Sequence, residues 1–230
     1  MKSSLLMACI GLALAGEQAS GAPLFRLSWD TCNPLVSHKV VAPGTIASLV
    51  GSVTGQDQVH GGYTLMLTGH AAASIPDAWQ FDDDGCQPYP VIIDYIVVTA
   101  IGKVCPTFSQ FGPVSVQERT FDYDATSGSV RAALAIRYPT VLSSNPATRY
   151  FTLRILFDHT DSVSGGGTPG VTCGGLESLI TFDVERAVWI NAANEEVPWP
   201  LENDHVTAAG VPPVPALDRT WGQIKSIYRQ

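Results

Sequence analysis

Residues 121–134 read FDYDATSGSVRAAL, and this stretch decides the class of fold. Aromatic residues alternate with aspartates over 121–124, four residues typical of a turn follow, and an extended run resumes at Ser129. Gly128 has no Cβ, so it can adopt the positive φ that a tight turn between two strands requires. The stretch therefore predicts a β-hairpin whose aspartates belong to the turn.

Short extended runs and turn residues alternate along most of the chain. β-Branched and aromatic residues cluster between groups of Gly, Pro, Asp and Ser, and no long helical periodicity is present. The predicted strands are 24–29, 45–53, 62–68, 91–100, 116–123, 129–138, 149–158 and 179–187. Eight strands without long helices predict an all-β fold, a two-sheet antiparallel β-sandwich such as a jelly roll.

The strand predicted at 149–158 has apolar residues at six of its ten positions. It is apolar at each odd position from Phe151 to Phe157, and it also contains Tyr150 and Leu156. Successive side chains of a strand point to opposite faces of the sheet. We therefore expect a central strand with one buried face and one partly covered face.

The N-terminus has the composition of a signal peptide. Lys2 precedes an apolar run at 5–14, and small residues at 13–15 fit the cleavage rule. We expect cleavage after Ala15, with cleavage after Gly21 as the alternative. The predicted location is therefore secreted, in the periplasm, at the cell surface or outside the cell.

Two other interpretations of this leader are disfavoured. A membrane span needs roughly 20 consecutive apolar residues, and Gly16, Glu17 and Gln18 interrupt the run. Residues 6–9 resemble a lipobox, but the apolar run before Cys9 is short. No other segment is apolar enough to cross a membrane.

The body contains Cys32, Cys86, Cys105 and Cys173, and Cys9 lies in the leader. An even number of cysteines without a close C-x2-C pair predicts two disulfides in an oxidising compartment and disfavours a zinc site. Three pairings are open to four cysteines. We favour Cys32 with Cys86 and Cys105 with Cys173, because each of these bridges would tie down a turn-rich segment.

Length and charge limit the function. The 230 residues fit one domain after a leader, and the net charge of -8 argues against nucleic acid and anionic membranes as partners. We predict a signal peptide at 1–15, a β-sandwich domain at 22–208, and a C-terminal arm at 209–230.

The C-terminal arm combines a stiff spacer with a short helix. Residues 211–215 read VPPVP, which favours extended polyproline geometry. Trp221, Ile224 and Tyr228 then fall on one face of a helix that is too short to be stable alone. We expect this face to dock on its own sandwich or on a partner, including a second copy of the chain.

The acidic run at 82–85, DDDG, is a candidate calcium site. Asp82 and Asp84, with Asp77 nearby, offer carboxylates at the alternate spacing that a hard cation accepts. The EF-hand register fails, because Gln80 would occupy position one and Val91 position twelve. An acidic turn beside a disulfide is the alternative. No other cofactor is expected.

No sequence motif assigns a catalytic or cofactor-binding residue. The chain lacks G-x-S-x-G, H-E-x-x-H and G-x-x-x-x-G-K, and the G-x-G-x-x-G match at 165–170 contains Pro169 and continues as a loop. Asp158, His159 and Asp161 could form an acid–base or metal group. Aspartates that follow a strand more often cap the next turn.

A glycoside hydrolase needs only two carboxyl groups at a suitable distance, so the motif search does not test it. The tryptophans could stack on sugars or serve as core anchors. The candidate carboxylates are Glu118, Glu177, Glu185, Asp94 and Asp183, and the tryptophans are Trp29, Trp79, Trp189, Trp199 and Trp221.

Several short motifs resemble a group of uncharacterised secreted bacterial proteins. They are SWDTC at 28–32, PDAWQF at 76–81 before Gly85 and Cys86, FDH at 157–159, TPG at 168–170 with CGG at 173–175, and TWGQIK at 220–225. The resemblance implies secretion and a single folded unit. The strand order and the 151–157 run are also similar to cohesin-like β-sandwiches of bacterial surfaces, which is a likeness of architecture.

These observations favour a secreted, disulfide-linked β-sandwich that acts as a binding or structural module and contacts an extracellular glycan or protein. One alternative is a secreted carbohydrate-active hydrolase that uses a carboxylate pair. Another is an extracellular structural subunit that self-associates through its C-terminal arm.

Overall fold

The computed structural model describes residues 23–54, 58–81, 86–87, 91–95, 105–106, 114–124, 126–139, 142–143, 145, 147–163, 170–191 and 193–211. The leader, the arm beyond 211 and the acidic run at 82–85 lie outside these residues. The strands within them are β1 Phe25–Trp29, β2 His38–Val41, β3 Ile46–Thr54, β4 Gln58–Ala71, β5 Ile92–Asp94, β6 Ser115–Asp124, β7 Ser129–Arg137, β8 Leu142–Ser143, β9 Arg149–Asp158, β10 Ile180–Ile190, β11 Glu196–Pro198 and β12 His205–Gly210. Short 3-10 turns occur at Asp77–Trp79 and Thr160–Ser162.

The strands form the two sheets of a β-sandwich. The smaller sheet has the order β1-β3-β9-β5. The larger sheet runs β2-β12-β10-β4-β7-β6, with β11 added to β10 and β8 added to β4. The predicted all-β, two-sheet class is confirmed. The arm's predicted helix lies outside the described residues.

Most neighbouring strands are antiparallel, as predicted, but one pair is not. β2 and β12 pair in parallel, with Thr207 opposite His38 and Gly210 opposite Val41. These strands come from opposite ends of the described chain, so no hairpin dictates their direction. This parallel pair places β2 at one edge of the larger sheet.

Each of the eight predicted segments contains a strand. β4 is longer than expected, and β5 is limited to three residues. The sequence analysis missed β2, β8, β11 and β12, which are short. In β12, Val206, Ala208 and Gly210 are buried alternately, but alanine and glycine carry little β-propensity and hide the pattern.

The hairpin predicted from 121–134 joins β6 to β7. Gly128 has a φ of 62°, and the Asp124 carboxylate accepts hydrogen bonds from the Thr126 amide and the Ser127 hydroxyl, both at 2.8 Å. The aspartate therefore stabilises the turn, as predicted.

One apolar core fills the space between the sheets. Leu49 and Ile155 enter it from the smaller sheet, and Leu65 and Phe182 from the larger one. Trp29 is fully buried against Phe182, and its indole N–H donates a hydrogen bond to the Thr207 carbonyl at 2.8 Å. The burial of large aromatic residues supplies much of the free energy of folding.

A β-bulge changes the direction of Phe151. Gly51 pairs with Leu153 but Ser52 pairs with Phe151, so Thr152 is the extra residue of β9. Leu153 and the odd positions after it enter the main core, as predicted. Phe151 instead joins a second buried cluster with Val50, whose strand neighbour Leu49 belongs to the main core. This second cluster therefore lies on the opposite, outer face of the smaller sheet.

Within the described part of the chain, no helix has the length and apolar character of a membrane span.

Candidate functional site

An open cleft of about 300 Å³ lies between β5 and β6. Its described lining consists of Val91, Ile92, Ile93, Arg119, Thr120 and Phe121. β5 is the last strand of the smaller sheet, and β6 is the last strand of the larger sheet. The cleft is therefore the opening of the sandwich along one side.

A second cleft of about 300 Å³ lies at the beginning of β6. Its described lining consists of Val114, Ser115, Gln117, Arg137, Tyr138 and Pro139. Arg137 ends β7 and pairs with Ser115 of β6. Since a strand rises about 3.3 Å per residue, the two clefts together follow β6 for about 20 Å.

The edge of β6 offers main-chain hydrogen-bonding groups. Among the described strands, β6 pairs with β7 alone and β5 pairs with β9 alone. The outer edge of a strand presents amide and carbonyl groups to which another extended chain can pair. β6 also has exposed residues at most positions, including Gln117, Glu118 and Arg119, which is typical of an edge strand.

The lining of the first cleft combines apolar side chains with polar groups, among them the basic side chain of Arg119. Ile92 is 50% exposed, whereas Ile93 is buried. The Phe121 ring is anchored by Phe157, with 5.8 Å between ring centroids. Arg119 is exposed, and no ion pair between described residues uses it.

Arg137 gives the second cleft a positive charge, as Arg119 does the first. It too is absent from the ion pairs of the described residues. The chain as a whole carries a net charge of -8. Among the described lysines and arginines, these two therefore stand out by having no ion-pair partner among the described carboxylates.

The disulfide of the structure joins Cys86 to Cys173. The favoured pairing of Cys32 with Cys86 and Cys105 with Cys173 is therefore wrong. The spacing of cysteines along a chain does not determine which of them meet. Here the 3-10 turn at Asp77–Trp79 lies against the segment that contains Cys173, because the Ala78 amide donates a hydrogen bond to the Gly174 carbonyl at 2.9 Å.

A buried histidine lies near this disulfide. The Nδ1 atom of His159 is 3.0 Å from the Ala78 carbonyl oxygen, which can only accept, so Nδ1 carries the proton. The ring is fully buried and packs against Trp79 and Phe81, with centroid distances of 4.5 and 5.2 Å. Burial lowers the pKa of His159 from 6.5 to about 4.

This environment does not form an acid–base pair. Asp158 accepts hydrogen bonds from the amide and hydroxyl groups of Thr160, so it caps the turn that follows β9. Asp161 is fully buried in that turn. The His159 ring is enclosed by aromatic side chains rather than facing a cleft. The structure therefore gives these residues a role in holding the end of the sandwich.

The calcium site stays a prediction. Asp82 and Asp84 lie outside the described residues. Asp77 is exposed at the beginning of the 3-10 turn. Within the described part of the chain, no group of three or more histidine, cysteine or acidic residues is arranged to hold a metal ion.

Three of the candidate hydrolase carboxylates have basic neighbours. Asp94 pairs with Arg154, Asp183 lies 3.1 Å from His70, and Glu185 lies 3.2 Å from Arg131. No carboxyl group belongs to the described lining of either cleft.

The tryptophans that the structure describes are mainly core residues. Trp29, Trp79 and Trp199 are buried, and Trp189 is partly buried. Trp221, Ile224 and Tyr228, the predicted docking residues of the arm, lie outside the described residues.

The sequence analysis did not single out the cleft residues Ile92, Arg119 and Arg137. It interpreted 91–100 and 116–123 as ordinary strands. One signal was available: Gln117, Glu118 and Arg119 are three consecutive polar residues within an alternating segment. A run of this kind indicates an edge strand.

No family model and no curated protein matches this chain. Among solved structures, it is similar to a cohesin module of a family 33 glycoside hydrolase from Clostridium perfringens, at 8% identity, a TM-score of 0.38, and coverage of 83% of this chain and 100% of that one. It is also similar to a type II cohesin domain from the Acetivibrio cellulolyticus cellulosome, at 9% identity and a TM-score of 0.37, with coverage of 82% of this chain and 95% of that one. The major pilin subunit of Bacillus cereus is similar at 11% identity and a TM-score of 0.35, with coverage of 82% of this chain and 40% of that one. This is a loose likeness of β-sandwich architecture, and no site or partner is taken from it.

Proposed function

We propose that this protein is a secreted binding module that takes up an extended, acidic segment of another extracellular protein along the β6 edge. The observation that carries the proposal is the pair of clefts along β6. Export is supported by the leader composition and by the disulfide between Cys86 and Cys173.

The shape of this surface favours a polypeptide as the ligand. The clefts follow one strand for about 20 Å, which corresponds to six or so residues of extended chain. A peptide in that position can pair its backbone with the outer edge of β6, which pairs with no second strand among the described residues. Its apolar side chains can then cover Ile92 and enter the clefts on alternate positions.

The charges favour an acidic ligand. Arg119 and Arg137 lie at the two clefts without a partner among the ion pairs of the described residues. A carboxylate on the incoming segment would form a charge-assisted hydrogen bond with either guanidinium. Such contacts also steer the encounter, so binding should weaken as salt is added.

The proposal is tested with a phage-displayed library of random peptides about twelve residues long, enough to span the clefts. The exported protein is the target. We expect enrichment of peptides that alternate apolar residues and contain aspartate or glutamate. Arg119→Glu and Ile92→Lys should each weaken binding about tenfold or more, a change of at least about 1.4 kcal/mol in binding free energy.

Two matched variants serve as controls. Ile46→Lys alters another exposed isoleucine of the smaller sheet, since Ile46 is 57% exposed. Arg131→Glu reverses a charge in β7, where the arginine pairs with Glu185. Both should bind the selected peptides as tightly as the wild type does. Equal binding by all four variants, or no enrichment, would contradict the proposal.

A glycan array probed with the same samples tests the other class of partner. Glycan binding without peptide enrichment would replace the protein ligand by a carbohydrate.

A further inference from the structure

The second buried cluster, on the outer face of the smaller sheet, contains two cysteines. Cys32 and Cys105 are both fully buried there, with Val50 and Phe151. Cys32 follows β1, and Cys105 belongs to the chain between β5 and β6. These two segments are far apart in sequence, and the described residues Cys32 and Cys105 bring them together over the sheet.

Both side chains are free thiols of this one cluster, and the interaction with Cys32 raises the pKa of the Cys105 thiol. The Cys105 sulfur lies 3.3 Å from the Arg149 carbonyl oxygen. Hydrogen bonds also fix the backbone at Cys32 and next to Cys105. The Phe151 amide donates to the Pro106 carbonyl at 2.7 Å, and the Arg26 guanidinium donates to the Cys32 carbonyl at 3.2 Å.

The partner of each thiol is limited by the rest of the chain. Cys86 and Cys173 are bonded to each other, and Cys9 belongs to the predicted leader. Cys32 and Cys105 are therefore the remaining pair of the body, and they share one buried cluster.

We propose that Cys32 and Cys105 form a second disulfide, which crosslinks the segment after β1 to the segment before β6 across the outer face of the smaller sheet. The oxidant is a small-molecule or protein disulfide. One cysteine thiolate attacks it, which releases one thiol and forms a mixed disulfide. The other cysteine then attacks the mixed disulfide and releases the second thiol. The oxidant's sulfurs gain the two electrons and two protons that the cysteines lose.

The burial of this pair determines when the bond can form. The interaction with Cys32 and burial both raise the pKa of the Cys105 thiol. Exchange requires an accessible thiolate, so the folded, reduced protein should react slowly. The crosslink therefore forms while the chain folds. Once formed, it is shielded from reductant more completely than Cys86–Cys173, since Cys86 is only partly buried.

Peptide mapping of the exported, unreduced protein tests the pairing. The protein is denatured in guanidinium chloride with excess N-ethylmaleimide, so that free thiols are capped before they can exchange. We expect one linked peptide pair that contains Cys32 and Cys105 and another that contains Cys86 and Cys173. Alkylated Cys32 and Cys105, or any other pairing, would overturn the proposal.

Limited reduction of the folded protein tests the shielding. With dithiothreitol and no denaturant, Cys86 and Cys173 should become alkylated at least tenfold faster than Cys32 and Cys105. Faster release of Cys32 and Cys105 would contradict the burial argument.

Stability measurements separate a covalent bond from simple packing. Cys32→Ser and Cys105→Ser each remove the same bond, so the double variant should lower the melting temperature no further than either single variant does. Val50→Ala is the matched control, because it loosens the same cluster and leaves the sulfurs in place. It should retain the linked peptide pair. Additive effects of the two serine substitutions would indicate two independently packed thiols.

Discussion

His159 occupies an unusual position for an ionisable residue. Its Nε2 atom is buried and has no hydrogen-bond partner among the described residues, and Trp79 and Phe81 surround the ring. A proton added at Nε2 would place a charge among aromatic side chains, and the attraction of Asp158 and the hydrogen bond to Ala78 offset only part of the cost of burial. The neutral imidazole is therefore the form that fits this structure.

This environment predicts a pH-dependent stability. The unfolded chain binds a proton at His159 below about pH 6.5, whereas the folded protein does so only below its pKa of about 4. Between these values the unfolded state holds more protons, so stability is complete above pH 6.5 and falls as the pH decreases toward 4. We expect a loss of about 3 kcal/mol in the free energy of unfolding over this window.

Urea denaturation at several pH values, from roughly 7.5 down to 4, measures this loss. His159→Asn is the comparison, because asparagine can donate to the Ala78 carbonyl but does not titrate. Its stability should start lower and decline less. Parallel pH profiles for the two proteins would show that His159 is not responsible.

Gly62 is a position where a side chain does not fit. Its φ of 127° lies outside the range that other residues favour, and an added Cβ would lie 1.8 Å from the Ile136 carbonyl oxygen. Gly62→Ala should therefore push β4 away from β7 and lower the free energy of unfolding by about 2 to 4 kcal/mol. Thermal or urea unfolding measures the change.

Gly174 provides the matched control for that substitution. A Cβ built there meets no atom within 4 Å, so Gly174→Ala should change stability by less than about 1 kcal/mol. Equal effects of the two substitutions would mean that the close approach at Gly62 is readily relieved.

Among the elements, β6 was predicted together with its turn, whereas β9 contains a feature that could not be predicted from the sequence. The β6–β7 hairpin was predicted because its turn residues and its alternation are local properties of the chain. The bulge in β9 was not predicted, because it depends on the register with β3. A shift of one residue in a register changes which face each side chain occupies, and this shift places Phe151 beside the cysteines.

The candidate site was missed for a similar reason. The composition of β5 and β6 predicts strands but does not say which strands lie at the edges of their sheets. That property depends on the strand order, in which β5 and β6 come last. The cleft residues Ile92 and Arg119 come together only because these two edges face each other.

At the scale of the whole molecule, the Cys86–Cys173 disulfide couples the two sheets. Cys86 precedes β5 of the smaller sheet, and Cys173 precedes β10 of the larger one. The bond joins residues 87 positions apart in sequence. A crosslink over a separation of this size restricts the unfolded chain and stabilises the folded one by about 4 kcal/mol in the chain-entropy model.

The variant with both Cys86→Ser and Cys173→Ser should therefore lose about 2 to 5 kcal/mol in the free energy of unfolding. Urea denaturation without reductant measures the loss. Adding a reductant under denaturing conditions before refolding should bring the wild type down to the variant or below it. A variant as stable as the wild type would mean that noncovalent contacts alone hold this end of the sandwich.

The sequence by itself determined the class of fold, the turn at Gly128, the predicted export and the number of cysteines available for pairing. These are local or compositional properties, since alternation, turn chemistry and a leader act over a few residues. The tertiary structure alone decided that Cys86 pairs with Cys173, that Cys32 and Cys105 share one buried cluster, and that β6 is the last described strand of its sheet. Each of these depends on contacts between segments distant in sequence, which are set by how the two sheets bury their apolar faces together.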